Sequence, residues 1–246
     1  MPRFFVTKEQ IVGDMVTILG DDAHHISRSL RMAAGEKIVV CDMQKNEYEC
    51  TLCEFLPDRV TATVTSQSKS DTEPPFKAYL YQALPKGDKL DSIIQKSVEC
   101  GIFSITTFNS DRCIAKDKEG DEKKLLRRQR ISLEAAKQSG RGIIPVINPT
   151  VSFKEAITRA AEADIALFCY EGEGTMPIGQ VLTRKLSEDT RSISVVIGSE
   201  GGFSESEAKE AVSVGMMPIG LGKRILRTET ASGFALACIA CMTELI

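Results

Sequence analysis

Hydrophobic positions change their rhythm near residue 70. Before it, apolar and polar residues alternate in short runs: Ile38 to Cys41, Glu47 to Phe55, and Arg59 to Thr65, with Val60-Thr61-Ala62-Thr63-Val64-Thr65 the clearest. A period of two gives a strand one apolar face, so these runs predict a small β-barrel of short strands. Asp21 to Met32 reads as a short helix capped by Asp21 or Asp22, and Ala33-Ala34-Gly35-Glu36 as a turn. The polar stretch Gln67 to Pro75, ending in Pro74-Pro75, reads as a linker.

From Phe76 strand and helix patterns alternate. Lys77 to Ala83 predicts a strand, and Asp88 to Cys100 a helix with Leu90, Ile93, Ile94 and Val98 on one face, closed by Gly101. Ile102 to Phe108, Pro145 to Ile147, Asp164 to Cys169, Ile193 to Ile197 and Met216 to Leu221 predict further strands. Helices are expected at Asp121 to Ser139, Phe153 to Ala163, after Pro177, at Glu205 to Val214, and from Glu229 to about Leu245. Ser152 with Glu155, and Ser204 with Glu207, have the spacing of capping boxes, and Thr228 or Thr230 is the expected cap of the last helix. About six strand-helix units imply an α/β domain with a mostly parallel sheet. The expected division is 1–72 for the barrel and 73–246 for the α/β domain.

Charge alters this picture only locally. A net charge of -3 excludes a uniformly basic nucleic-acid binder. Between Arg112 and Gly142, however, stand ten cations (Arg112, Lys116, Lys118, Lys123, Lys124, Arg127, Arg128, Arg130, Lys137, Arg141) against five acids (Asp117, Glu119, Asp121, Glu122, Glu134). That run reads either as a solvated helix face or as a nucleic-acid patch. No apolar run approaches the roughly 18 residues of a membrane span, and Met1-Pro2-Arg3-Phe4-Phe5 lacks a signal-peptide core, so no membrane partner and a cytoplasmic location are expected. Two C-x-x-C pairs invite a zinc reading that geometry opposes. Cys50 and Cys53 lie on a strand, where odd spacing separates their faces, and Cys238 and Cys241 lie in an apolar helix; no metal is expected.

Candidate chemistry gathers at strand ends. Glycine-bearing loops follow three predicted strands: Tyr170-Glu171-Gly172-Glu173-Gly174, Gly198-Ser199-Glu200-Gly201-Gly202, and Gly220-Leu221-Gly222 continuing to Arg227. In an open parallel sheet such loops collect at the carboxyl edge, where ligands bind. None has the dinucleotide, P-loop or nucleophile-elbow pattern. The loops suit an adenosine-like ligand held by backbone groups, with Ile197, Leu221, Ile225 and Leu226 on its apolar faces and with Arg227 and Glu229 able to act on a second substrate. The plainer reading is that Gly198, Gly201 and Gly202 make a tight turn and Glu229 favours a helix N-terminus.

Five separated motifs carry a family resemblance: Gln82-Ala83-Leu84-Pro85-Lys86-Gly87-Asp88-Lys89, Ile94-Gln95-Lys96, Glu134 to Arg141, Ile197 to Phe203, and Leu221 to Ala231. With the opening Pro2 to Val6 and the run Ala23-His24-His25-Ile26-Ser27-Arg28-Ser29-Leu30-Arg31, they resemble the ribosomal RNA small-subunit methyltransferase E family over nearly the whole chain. The resemblance implies a PUA-like β-barrel before a SPOUT-type α/β methyltransferase domain with a C-terminal trefoil knot. It also implies a homodimer, S-adenosyl-L-methionine as cofactor, and methylation of N3 of one uridine in 16S ribosomal RNA of the small ribosomal subunit. Arg227 and Glu229 then become the catalytic pair. Tyr170, Glu171, Ile197, Gly198, Glu200, Gly201, Gly202, Ile219, Leu221, Gly222, Ile225, Leu226, Thr230 and Ala231 become cofactor contacts. For RNA, the expected contacts are Arg3, Arg28 and Arg31 in the first domain and Lys86, Arg112 and Arg141 in the second. Ser199 departs from the proline usual in the family's glycine loop, which suggests a looser loop and weaker cofactor binding. Two rival readings are a related ribose 2'-O-methyltransferase acting on transfer RNA and a catalytically idle RNA-binding assembly factor.

Overall fold

Alternation in the first seventy residues and strand-helix repetition after them build two separate units in the computed structural model, which describes residues 1–117 and 121–245. Lys118 and Glu119 of the basic run lie outside the described residues. One unit is Met1–Glu73 with Ala136–Ile144; the other is Pro74–Ala135 with Pro145–Ile246.

The first unit holds strands β1 (Arg3–Phe5), β2 (Ile11–Val12) and β3 (Met15–Leu19), helix α1 (Gly20–His24), and strands β4 (Lys37–Cys41), β5 (Asn46–Phe55) and β6 (Arg59–Lys69). Helix α1 widens into a single π turn over His25–Ser29. The strands form one sheet in the order β1-β4-β5-β6-β3-β2, with β1 parallel to β4 and the other pairs antiparallel. Their alternation places Phe4, Val16, Ile18, Ile38, Val40, Leu52 and Val60 on one buried face, which Ile26 covers. β1 and β2 stand at the two ends of this hydrogen-bonded order. Cys50 is buried and Cys53 exposed on the same strand.

The stretch read as a linker is tied into the first unit at two points. β6 continues to Lys69, and the Glu73 carboxylate is buried and accepts from Arg141 Nε and Nη2, both at 2.8 Å, and from the Gly142 amide at 2.9 Å. A segment from the middle of the chain thereby completes the first unit, a contact with no local sequence signature.

In the second unit the order is β7 (Lys77–Ala83), α2 (Lys89–Glu99), β8 (Ser104–Asn109), α3 (Glu122–Gln138), β9 (Val146–Ser152), α4 (Phe153–Ala160), β10 (Ile165–Cys169), β11 (Met176–Pro177), α5 (Ile178–Lys185), β12 (Ser192–Ile197), α6 (Glu205–Ser213), β13 (Met217–Gly220) and α7 (Thr228–Thr243). The last turn of α3 belongs to the first unit. Seven strands make a sheet in the order β11-β13-β10-β12-β7-β8-β9 in which every pairing is parallel. Helices cover such a sheet on both faces, so its central strands are apolar throughout. Ile165 to Phe168 and Ile193 to Ile197 are accordingly buried residue by residue; their polar member is Ser194, also buried, whose hydroxyl donates to the Ala160 carbonyl at 2.7 Å. Ser152 caps α4 and Ser204 caps α6, the latter as a full capping box with Glu207. Among the described residues, no helix is long and apolar enough to cross a membrane.

Candidate active site

The carboxyl ends of β7, β10, β12 and β13 lie side by side in the second unit, and the three glycine loops leave from the last three of them. The loop after β12 is folded tightly on an aromatic base. Phe203, 4% exposed, packs on Phe168 with ring centroids 4.4 Å apart and stacks on Phe108 at 6.3 Å. A Cβ at Gly198 would come within 3.2 Å of both Gly202 Cα and the Phe203 ring, so a side chain there would have to push the loop or the ring aside by a few tenths of an ångström. Ser199 and Gly202 form an antiparallel bridge, the Gly202 amide donating to the Ser199 carbonyl at 3.0 Å. Ser199 is itself buried and donates to the Arg112 carbonyl at 3.4 Å, while Arg112 Nη1 donates to the Gly201 carbonyl at 3.0 Å. The serine is thus tied into the loop's support.

Beyond the loop, charge concentrates on Lys89 at the start of α2. Its ammonium lies 2.7 Å from Glu200 Oε1 and 3.6 Å from Glu229 Oε2, joining the glycine loop to the first turn of α7. Glu200 also accepts from the Lys86 amide at 3.1 Å. Burial alone would push the Glu200 carboxyl up; the hydrogen bond from Lys89 and those from backbone amides outweigh it and hold it below the usual carboxylate range. The hydrogen bond to Glu200 raises Lys89 in turn. Glu229 Oε2 is buried and, despite its ion-pair distance to Lys89, accepts no hydrogen bond among the described residues.

Neither threonine caps α7. Its N-cap is Arg227, without a side-chain cap bond, and the Arg227 carbonyl accepts from the amides of Thr230 and Ala231, both at 2.8 Å. Those two amides are therefore closed into the first turn, which leaves them no free donor for a ligand. Thr228 is buried and donates to the Gly198 carbonyl at 2.6 Å. That competing partner, thirty residues away in sequence, explains why its hydroxyl does not turn back on its own helix.

The remaining expected cofactor positions divide by burial. Ile197 and Ile219 are fully buried and Leu221 and Leu226 half-buried, whereas Ile225 is 85% exposed and Glu171 is exposed. Tyr170 lays its ring beside Gly172, where a Cβ would lie 2.1 Å from the ring. Gly222 has φ +103, with nothing within 4 Å of where a Cβ would stand. Among the described residues, no hydrogen bond reaches the backbone of residues 222–226. Apolar walls beside uncommitted peptide groups are what an adenosine moiety requires.

The basic residues separate in the same way. Arg28 and Arg31 are exposed in the first unit, as are Lys86 and Arg112 in the second. Arg141 is 2% exposed and bound to Glu73, which corrects its assignment to RNA. Arg3 is likewise committed inside its unit, donating to Glu47 at 2.7 Å and to the Arg141 carbonyl at 3.2 Å. The basic run is partly spent internally: Arg128 and Lys124 pair with Asp117, and Lys137 with Asp22. Lys89 and Gln82, which sequence reasoning did not single out, sit in the run Gln82 to Lys89, directly after the central strand β7. Their position at a strand's carboxyl end was the available signal.

Comparison with known proteins bears on this geometry. Residues 72–240 match the family described as an RNA methyltransferase domain, and residues 18–54 match the RNA methyltransferase PUA domain. Over all of its length the chain is 35% identical to the ribosomal RNA small subunit methyltransferase E of Bacillus subtilis, spanning 98% of that protein. The chain belongs to the ribosomal RNA small subunit methyltransferase E family. A methyltransferase E from Neisseria gonorrhoeae, solved bound to S-adenosyl methionine, superimposes with a TM-score of 0.86 at 30% identity, covering 98% of each chain. A Legionella pneumophila protein in complex with the same cofactor gives 0.83 at 28% identity, covering 97% of this chain and 96% of its own. The fold is thus that of methyltransferase E: an α/β methyltransferase domain with a PUA-like domain.

Proposed function

We propose that this chain methylates N3 of one uridine in 16S ribosomal RNA of the small ribosomal subunit, with S-adenosyl-L-methionine as methyl donor. The observation that carries the reading is Glu229, a carboxylate with a buried, unbonded oxygen at the carboxyl edge of the sheet, two residues from Arg227 and beside the glycine loop. The cofactor fits the site: Ile197, Ile219 and Leu221 would line the adenosine, and the peptide groups of 222–226 would meet its polar edges. When bound, it supplies a methyl group carried on a sulfonium.

Uridine N3 carries a proton at neutral pH, so the protein must remove it and align the nitrogen. Glu229 takes that proton on Oε2. Lys89 balances the carboxylate while it is ionised, holding it in place from 3.6 Å. Arg227 directs its guanidinium charge at the uridine oxygens, where negative charge collects as the proton leaves. Arg28, Arg31, Lys86 and Arg112 hold phosphates, which predicts RNA binding that weakens steeply with salt.

Three further features belong to this reading. The chain forms a trefoil knot, supported by β13 lying between β10 and β11, so that the connection joining those two strands must cross it. It acts as a homodimer, supported by α7, which is apolar along most of its length yet leaves Phe234 37% exposed. Its site of action is the cytoplasm, where ribosomal subunits are found.

The test supplies labelled S-adenosylmethionine with unmethylated small subunits, naked 16S RNA or transfer RNA, then maps product by reverse transcription. A single polymerase arrest at a uridine of 16S RNA is expected, because N3 methylation blocks pairing. Label in transfer RNA without arrest would overturn the reading in favour of a ribose methylase. Glu229→Gln should slow single-turnover transfer at least about a hundredfold; full activity would remove Glu229 as the base.

A further inference from the structure

One buried group ties the ends of β7 and β12 to the start of α7. Gln82, the penultimate residue of β7, is fully buried, and the two protons of its Nε2 are shared among three acceptors: Thr228 Oγ1 at 2.9 Å, the Ala83 carbonyl at 3.0 Å and the Gly198 carbonyl at 3.3 Å. Thr228 Oγ1 passes its own proton to the Gly198 carbonyl at 2.6 Å. The directions follow from chemistry. Two of the three groups around Nε2 are carbonyls, which only accept, so the amide nitrogen must face them and the hydroxyl proton must go to Gly198.

Thr228 stands between Arg227 and Glu229. A threonine at the first position of a helix ordinarily serves its own turn or solvent. Here the hydroxyl is 30 residues from the loop it holds, and the amide that holds the hydroxyl is 146 residues away. Fully buried hydrogen bonds of this kind fix geometry closely, since losing one leaves a polar group unsatisfied.

We propose that Gln82 and Thr228 are positioning residues that set the Arg227 and Glu229 side chains in register with the glycine loop. The assignment rests on the proposed function for the roles of those two side chains. The register itself is a property of the chain alone. Gln82 acts through Thr228, and Thr228 acts through the backbone it shares with the reacting pair, so neither touches the reacting atoms. A displacement of about 1 Å at a reacting group lowers a rate on the order of a hundredfold.

The experiment uses the full-length protein and two levels of readout. Thr228→Val keeps the side-chain shape and removes the hydroxyl; Thr228→Ser keeps the hydroxyl and removes the methyl. Without cofactor, amide hydrogen exchange in residues 198–203 should rise about tenfold in Thr228→Val and stay within about threefold of wild type in Thr228→Ser. Cofactor affinity by calorimetry should remain within about threefold, while single-turnover transfer at saturating cofactor and subunits falls about 10- to 100-fold in the valine variant only. Gln82→Met should reproduce the slow rate, and the double variant should be no slower than either single one, as expected for residues acting as a unit. Unchanged exchange, or a serine variant as slow as the valine one, would overturn the proposal. If wild-type protein transfers no methyl group to any RNA, the functional reading fails, and the exchange result still decides whether the register exists.

Discussion

Replacing Arg141 by methionine separates two roles for that residue. Its guanidinium makes two 2.8 Å hydrogen bonds to Glu73, and the side chains of the pair are 2% and 3% exposed. Removing one member of a buried pair strands the other charge and costs about 3–5 kcal/mol. Glu73 would keep the Gly142 amide at 2.9 Å, which favours the lower end, about 3 kcal/mol, or roughly a 150-fold change in the folding equilibrium. The chain has no tryptophan, so urea unfolding is best followed by circular dichroism. Adding Glu73→Gln to Arg141→Met removes the stranded charge and should return at least half of the loss. RNA affinity of the folded Arg141→Met protein should stay within about threefold of wild type, because an exposed phosphate contact is what carries salt-dependent affinity. A stability loss below about 1 kcal/mol together with a tenfold loss of RNA affinity would refute the reasoning and return Arg141 to the RNA surface.

Ser199→Pro should tighten cofactor binding about two- to fivefold by stiffening the loop after β12; weaker binding by calorimetry would show that the Ser199 bond to Arg112 matters more. Burial pushes the Cys41 and Cys50 thiols up to about 11, so iodoacetamide at pH 8 should modify the exposed Cys53 and Cys241 at least tenfold faster in peptide mapping. Equal labelling would contradict the burial of β4 and β5. Burial by itself would raise the Asp117 carboxyl, but hydrogen bonds from Arg128 and Lys124 outweigh it and hold it low. A depressed folded value contributes stability above the unfolded pKa of about 3.9 and loses it as pH falls through the folded value. The stability gap between wild type and Asp117→Asn should therefore narrow below about pH 4; a gap unchanged at pH 2.5 would remove the ion pair as its cause.

Elements were legible where the pattern is local. The period of two in β6, the four apolar positions of α2, and the capping box of Ser204 and Glu207 each involve residues a few positions apart, and each appears in the structure. The gathering of glycine loops at one sheet edge was also legible, since parallel strands put their carboxyl ends together. What stayed hidden depends on partners distant in sequence. Glu73 looked like the end of a linker because its partner lies 68 residues on. Thr228 looked like a cap because Gln82 and Gly198 leave no mark near it. Arg141 and Arg3 looked like phosphate ligands because a charged side chain in sequence says nothing about the carboxylate that claims it.

The insertion of residues 136–144 into the first unit sets a timetable for synthesis. At about 5–20 residues per second, the 68 residues between Glu73 and Arg141 take about 3 to 14 seconds to be made. Through that interval the N-terminal sheet is complete in its strands but lacks the cation that neutralises Glu73. β7 waits longer, because its neighbour β12 follows only at Ser192. A nascent chain in this window has β8 on one side of β7 and leaves the other edge of that strand unpaired, the kind of surface that aggregates unless something shields it. Any codon change that slows translation between these points would lengthen that exposure without altering a single residue of the finished enzyme.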